Sequence, residues 1–322
     1  MNLGLFAKAN GDRPLLAIGL LIVGTFTLAL QDSLMKLMST ETSFWQIQTL
    51  RSGLNMVIVI MLALLSGKLM LIKPQNAKPV FLRAAFLAIT MFFFFSGAPY
   101  LSVAQMAVGL YTYPLFVCLL AGPVLGEKIG LWRTACIVLG ACGAALVLAP
   151  WKESFSPIQI LPMVAGFFYA CNILTLRRAC RNESTLALAF AAGIVFSIVG
   201  LSGIAALSVF PLSSDIQHAM PFVAIGWPEL TMLVAGFALL VSMLNLLGNI
   251  CMTRAYQTAN ASLLAPIDFS YLIFAAFWGK VIFDKWPQDL TLIGMCLIIF
   301  SGVIIAWREH TVGDQQHTAV AS

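Results

Sequence analysis

The sequence has few charged residues for its length. Of its 322 residues only 10% are charged, whereas 60% are hydrophobic, and the mean hydropathy is +0.94. An ordinary soluble domain carries about a quarter charged residues, so this composition excludes a soluble globular fold. The chain is predicted to be an integral membrane protein whose solvent is the lipid bilayer.

Several functional signatures are missing as well. The chain has no G-x-x-x-x-G-K-[ST] phosphate-binding loop, and no segment fits a soluble nucleotide-binding domain. Its seven cysteines form no C-x-x-C pair, and its three histidines fall in a loop and in the C-terminal tail. No metal site and no other cofactor is therefore expected. No run of Lys and Arg is long enough to indicate nucleic-acid binding.

Ten apolar segments are present instead. A membrane-crossing helix needs roughly 20 mostly apolar residues, and such helices are predicted at 14–38, 44–66, 79–99, 104–125, 132–149, 157–177, 184–209, 228–252, 260–281 and 290–307. The first segment lacks a convincing cleavage site and is interpreted as a retained helix and not as a signal peptide. The predicted fold is thus all-α and membrane-integral, with one longer surface loop at about 210–227.

The positions of Lys and Arg predict the orientation, because short loops rich in these residues stay in the cytoplasm. With the N-terminus inside, most of the 18 Lys and Arg residues lie on the cytoplasmic side. The opposite side carries only Lys36, Lys152, Lys280 and Lys285. Both termini are therefore predicted to be cytoplasmic, in a bacterial-type inner membrane.

An internal repeat relates the two ends of the sequence. The stretch "LLAGPVLGEKIGLW" aligns with "FAAFWGKVIFDKWPQ" at a spacing of 157 residues, and "LALQDSLMK" aligns with "FYACNILTLR" at a spacing of 141. The aligned pairs are Gly122 with Gly279, Glu127 with Asp284, Lys128 with Lys285, Gln31 with Asn172 and Lys36 with Arg177. Five helices per half place equivalent motifs on opposite faces of the bilayer, which predicts a 5+5 inverted repeat.

These features resemble the EamA-type branch of the drug/metabolite transporter superfamily over essentially the whole chain. The resemblance rests on the ten spans, the inverted repeat, the "GEK" at 126–128, Lys36 at the end of helix 1 and Arg51 within helix 2. In the second half Phe283 and Asp284 stand where the family has a Gly-Glu pair, which keeps the charge and loses the glycine. The run "LQDSLMKLMSTETSFWQIQTLRSGL" further resembles uptake carriers of this branch that are associated with riboflavin or S-adenosylmethionine.

The resemblance implies alternating access by a monomer or homodimer, with a central cavity between the halves and no ATP hydrolysis. Energy would then come from a gradient of the substrate, of protons or of another coupling ion. The expected organisation is a first repeat at 1–153, a second repeat at 154–309 and a polar cytoplasmic tail at 310–322.

Two charged residues lie at matching depth in neighbouring spans. Asp32 on helix 1 and Arg51 on helix 2 are both about 10 Å from the outer end of their helices, at 1.5 Å per residue. A charged side chain in hydrocarbon costs at least about 2.5 kcal/mol and usually faces a cavity or a partner. We therefore expect an ion pair between the two residues, either as a static bridge or as a gate that opens during transport.

Amide side chains form a second group of candidate site residues. Gln48 and Asn55 share the helix 2 face of Arg51, and Asn245 and Asn249 form a similar stripe on helix 8. Such stripes either line a cavity or hydrogen-bond to other helices as part of the packing. Asn172 joins the group as the repeat partner of Gln31.

Asp268 is the acid predicted to lie deepest in the membrane. It follows Pro266, which removes a backbone donor and loosens the helix, and it aligns with Tyr111 in the repeat. No residue of opposite charge is predicted at its depth. Burial favours the neutral form of a carboxyl group, which suits a group that takes up and releases a proton or pairs with a cationic substrate. A neutral Asp268 that only hydrogen-bonds to a neighbouring helix is the alternative.

Aromatic residues in and beside the spans offer further binding surface. They can stack on a flat ring or surround an alkylammonium group, and they equally serve as packing or as interfacial anchors. The candidates are Trp45, Tyr111, Tyr113, Tyr169 and Tyr271.

The predicted function is secondary-active transport of a small organic metabolite, with an amino-acid-like, cationic or flavin/nucleoside-type substrate. A promiscuous exporter of amphipathic compounds is the alternative. A membrane enzyme acting on lipid-linked substrates is disfavoured, because the two acids within spans lie on distant helices and the histidines are peripheral. A channel is disfavoured because no filter motif is visible.

Overall fold

The computed structural model describes residues 14–67, 69–125, 131–151, 155–180, 183–258 and 261–304. Within these ranges the regular structure is helical. The predictions that concern the N-terminal residues 1–13, the "GEK" at 126–128, Lys152 and the tail at 310–322 lie outside the described residues.

The helices follow the predicted spans closely. The N-terminal half contains α1 (Pro14–Met38), α2 (Phe44–Leu65), α3 (Ala77–Ser96), α4 (Val103–Leu110), α5 (Tyr113–Leu125) and α6 (Leu131–Leu148). The C-terminal half contains α7 (Leu161–Ala179), α8 (Thr185–Val209), α9 (Ser214–Ala219), α10 (Pro221–Ala224), α11 (Met232–Thr258), α12 (Ala261–Asp268), α13 (Ser270–Phe283) and α14 (Asp289–Ile304).

Eight helical stretches in the described ranges are long and apolar enough to cross a membrane. Shorter apolar helices occur at Thr134–Leu148 and Asp289–Ile304, where the fifth and tenth spans were predicted. The short helices α9 and α10 lie in the predicted surface loop. The fold is therefore all-helical and multi-pass, as the composition predicts.

Serine side chains fix where several of these helices begin. The Ser43 hydroxyl accepts a hydrogen bond from the Gln46 N–H at the start of α2. Ser102 and Gln105 form a reciprocal capping box at the start of α4, and Ser184 caps α8. A cap of this kind satisfies backbone donors that have no partner inside the helix.

The fourth predicted span is interrupted. Tyr111 and Thr112 separate α4 from α5. Pro114 lacks the N–H that would extend α4, and it stands in the first turn of α5, where a proline is well tolerated. The Thr112 hydroxyl donates to the Gly109 carbonyl at 2.7 Å, so a backbone acceptor freed by the break keeps a partner.

The ninth predicted span is interrupted at the corresponding position. Phe269 separates α12 from α13, and α12 contains Pro266. The Leu272 N–H donates to the Phe269 carbonyl at 3.0 Å, which frees the Asp268 carbonyl from its usual helical partner. Tyr111 at the first break and Asp268 at the second are 157 residues apart. This separation is also the spacing of the sequence repeat.

Each half of the chain packs mainly against the other half. α1 lies along α11, α3 lies along α7, and α2 lies along α8. Glycines permit the closest approaches: a Cβ on Gly24 would lie 3.1 Å from the Gly248 carbonyl oxygen, and a Cβ on Gly143 would lie 2.9 Å from that of Gly294. Such contacts between small residues let membrane helices approach backbone to backbone.

Candidate functional site

The two helix breaks meet in the centre of the structure. The Tyr111 hydroxyl donates to the freed Asp268 carbonyl at 3.2 Å, and the Tyr113 hydroxyl donates to Asp268 Oδ2 at 3.3 Å. Asp268 is only 7% exposed, and its Oδ1 has no hydrogen-bond partner among the described residues. A buried carboxyl oxygen without a partner is costly for stability, so this group is a candidate for function.

Four tyrosines surround this carboxyl group. The rings of Tyr111 and Tyr271 stack with centroids 5.0 Å apart and an interplanar angle of 11°. Tyr113 packs edge-to-face against Tyr169 at 4.9 Å and against Tyr111 at 5.8 Å. The structure thus brings together five of the predicted site residues from α5, α7, α12, α13 and the first break.

A chain of polar side chains leads from the tyrosines to α2. The Tyr271 hydroxyl and Gln31 Nε2 both donate to the carboxylate of Asp32, the latter at 2.9 Å. Asn245 Nδ2 donates to Gln31 Oε1 at 2.9 Å, and Asn55 Nδ2 donates to Asn245 Oδ1 at 3.4 Å. These contacts connect α13, α1, α11 and α2, which belong to both halves of the chain.

The expected ion pair between Asp32 and Arg51 is not formed in the part of the chain that the structure describes. The oxygens of Asp32 are occupied by Gln31 and Tyr271. Arg51 donates instead to Gln48 Oε1 at 2.9 Å. The charges of Asp32 and Arg51 still attract each other through the interior, but the direct bridge is a wrong expectation for this conformation.

Other predicted residues lie apart from the tyrosines. Trp45 donates through Nε1 to the Val223 carbonyl at 2.8 Å, so it holds the loop between α8 and α11. Asn249 is exposed and donates to a carbonyl of its own helix. Asn172 is buried on α7, and its Oδ1 has no partner among the described residues.

Gln31 is a central residue that the sequence interpretation used only as a repeat partner. It hydrogen-bonds to both Asp32 and Asn245 and is fully enclosed. Its pairing with Asn172 in the repeat was the signal that could have identified it, since an amide buried in two equivalent helices needs hydrogen-bond partners in both.

Two adjoining cavities open at the predicted outer surface. One, of about 70 Å³, is lined by Gln105, Gln159 and Gln288, among others. The second, of only about 10 Å³, shares Gln105 and Gln159 and reaches Gly109 and Met163. Gly109 precedes Tyr111 by two residues, so the smaller pocket lies near the first break.

A multi-pass helical fold with a polar and aromatic centre between its two halves is the architecture of a membrane transporter. Residues 15–149 match the EamA-like transporter family, which confirms the family resemblance that the sequence predicts. The chain is a multi-pass inner-membrane protein whose N-terminal half is similar to this transporter family.

Several curated relatives cover most of the chain. The pseudopaline exporter CntI of Pseudomonas aeruginosa is 22% identical over 89% of this chain and 94% of its own length. An S-adenosylmethionine uptake transporter of Rickettsia felis is 23% identical over 94% and 96%, respectively. A riboflavin transporter of Vibrio cholerae is 27% identical over 62% of this chain and 61% of its own length.

A solved crystal structure shares the fold. It is 19% identical to this chain, with a TM-score of 0.53, and the match covers 92% of this chain and 97% of the solved one. The family and the named relatives are transporters and not enzymes. The chain is therefore a membrane transporter of a small metabolite.

Proposed function

We propose that this protein is a secondary-active carrier that works by alternating access of two inverted halves. The halves are residues 1–153 and 154–309, each with five spans, and both termini are cytoplasmic. The functional unit is a monomer or a homodimer, since one chain already supplies both sides of the central site.

The packing of the helices supports the inverted repeat. If α1 corresponds to α7 and α3 corresponds to α11, the contact of α1 with α11 becomes equivalent to the contact of α7 with α3, and both contacts occur. The two breaks share the spacing of the repeat. Interrupted helices at equivalent positions of two halves are a known device for building a binding site at the membrane centre.

The observation that carries the proposal is the position of the Asp268 carboxyl group. It lies where the two breaks meet, is buried, and keeps one oxygen without a partner in the described structure. Burial favours its neutral form, whereas contact with water or with a cation favours its charged form. A conformational change that alters access to Asp268 would therefore move a proton or bind and release a cationic group.

The substrate is proposed to be a small organic compound of amino-acid-like, cationic or flavin/nucleoside type. The stacked Tyr111 and Tyr271 rings support a flat or cationic substrate. The names of the relatives, which concern pseudopaline, riboflavin and S-adenosylmethionine, support the same range. Because one of these relatives is named as an exporter, promiscuous export of amphipathic compounds is the second candidate function.

A ligand screen followed by a flux measurement tests this function. Purified protein is screened by thermal shift at two pH values against amino acids, flavins, nucleoside derivatives, quaternary amines and amphipathic drugs, because a ligand of the folded state raises the Tm. A carrier should then show saturable counterflow of that ligand in proteoliposomes. Flux that does not saturate would contradict a carrier, and broad weak shifts from many amphiphiles would favour the exporter.

A further inference from the structure

Arg51 is a buried cation whose expected partner, Asp32, accepts hydrogen bonds from other residues. Its side chain is 3% exposed, and it has no ion pair among the described residues. Asp32 accepts hydrogen bonds from two neutral donors, Gln31 on Oδ1 and Tyr271 on Oδ2. A buried charge normally requires a partner of opposite charge.

Gln48 adds a second donor beside the guanidinium group. Arg51 Nη2 donates to Gln48 Oε1 at 2.9 Å, so the two side-chain ends are in contact. Gln48 is 1% exposed, and its Nε2 has no hydrogen-bond partner among the described residues. The two residues lie one turn apart on α2, and both carry buried N–H donors. The donors of Gln48 Nε2 have no hydrogen-bond partner among the described residues.

The surroundings of this pair favour an anion of organic character. The guanidinium carbon of Arg51 lies 6.0 Å from the centre of the Phe95 ring, which gives the cation an apolar wall. One turn further along α2, Asn55 begins the polar chain that leads through Asn245 and Gln31 to Asp32. Tyr271 donates to Asp32 at the end of this chain. The donor pair thus shares helix α2 with one end of the polar chain, whose other end is the Tyr271 hydroxyl at Asp32.

We propose that Arg51 and Gln48 form a binding site for a carboxylate group of the transported compound. The guanidinium supplies a planar fork that matches a carboxylate in two parallel hydrogen bonds, and Gln48 Nε2 supplies a third donor. This inference rests on the proposed transport function and narrows it: the substrate carries a carboxylate, and its cationic or aromatic part faces the tyrosines and Asp268.

Matched pairs of ligands test the site directly. The probes for thermal shift of the purified full chain are L-tryptophan with L-tryptophanamide, L-methionine with L-methioninamide, and riboflavin, which has no carboxylate. We expect a carboxylate-bearing probe to raise the Tm of the wild type and its amide to fail. Arg51→Gln should weaken the binding by about 100-fold, and Arg51→Lys by about tenfold, because an ammonium keeps the charge without the fork.

Variants at Gln48 and at the protein surface complete the test. Gln48→Glu supplies an internal carboxylate next to the guanidinium and should abolish the shift caused by the carboxylate probe. Lys280→Gln, which removes only an exposed pair with Asp284, should leave that shift unchanged. In the ligand-free protein, Arg51→Gln should lower the Tm by less than about 4 °C, since it removes a hydrogen bond to Gln48 and no direct ion pair in the described structure. A loss of more than about 4 °C would assign Arg51 a structural role and overturn the proposal.

The outcomes separate this inference from the function on which it rests. If riboflavin or an amide probe raises the Tm equally in the wild type and in Arg51→Gln, the carboxylate site is wrong while a small-molecule carrier still stands. If no probe raises the Tm of the wild type at millimolar concentration, both the site and the proposed substrate range are contradicted.

Discussion

The two broken helices have the same architecture and different chemistry. The first break, between α4 and α5, presents Tyr111, whereas the second, between α12 and α13, presents Asp268 at the equivalent position. Both breaks follow from prolines that remove a backbone donor. Both halves thus contribute a break to the central site, while the carboxyl group at a break in the described structure comes from the C-terminal half.

Both breaks are also supported by a glycine on a neighbouring helix. A Cβ on Gly166 of α7 would lie 2.7 Å from Thr112 Oγ1, and a Cβ on Gly302 of α14 would lie 2.0 Å from Cζ of Phe269. Any larger residue at these glycines would push the break out of position. Substitutions there test whether the two breaks matter equally.

The largest effect on stability is expected at the second break. Gly302→Ala forces the buried Phe269 ring to move and should destabilise the protein by about 1–3 kcal/mol, as overpacking does in tightly packed cores. Thermal unfolding of the purified variants measures this loss. Gly236→Ala is the matched control, because nothing lies within 4 Å of the added Cβ. A Gly302→Ala protein as stable as that control would show that the ring is not fixed by α14.

A smaller loss of stability is expected when either of the two tyrosines that hydrogen-bond to Asp268 is replaced by phenylalanine. Tyr113→Phe removes the hydrogen bond to the side chain, and Tyr111→Phe removes the hydrogen bond to the backbone. Each should cost about 1 kcal/mol of stability, but only Tyr113→Phe should change the pH dependence of transport. Counterflow and accumulation measured over a pH series provide the comparison. Equal pH profiles in both variants would contradict a functional contact between Tyr113 and the carboxyl group.

The smallest effect on stability is expected at Pro114, the proline of the first break. Pro114 stands in the first turn of α5, where its missing N–H needs no partner, so that Pro114→Ala should change stability by less than about 0.5 kcal/mol. Pro266 lies inside α12, and Pro266→Ala should stabilise the helix while slowing transport, because alanine restores the missing backbone donor. A Pro266→Ala variant with normal stability and normal transport would show that the second break does not depend on its proline.

Much of the fold follows from the sequence because hydrophobic length and proline position are local signals. α1 begins and ends at the predicted residues, and both interruptions occur in the spans where prolines predict them. The sequence repeat aligns Tyr111 with Asp268, and the structure adds that the Tyr111 hydroxyl donates a hydrogen bond to the Asp268 carbonyl.

The pairing of side chains was less predictable, because depth along a helix does not fix rotation about its axis. Asp32 and Arg51 lie at matching depth, yet Asp32 faces α13 and bonds to Tyr271. The same limit applies to Trp45, whose indole binds a loop carbonyl and not the centre. Contacts of this kind depend on how the helices pack against each other, and this packing cannot be predicted from the sequence of one span.

The most direct test of the account is transport by Asp268→Asn in proteoliposomes, with Asp215→Asn on the exposed helix α9 as the control. Asparagine keeps the size of the side chain and cannot exchange a proton. The account predicts that Asp268→Asn loses gradient-driven accumulation of the ligand and retains its counterflow, while the control retains both. Unchanged accumulation by Asp268→Asn would contradict the proposed coupling role of this carboxyl group.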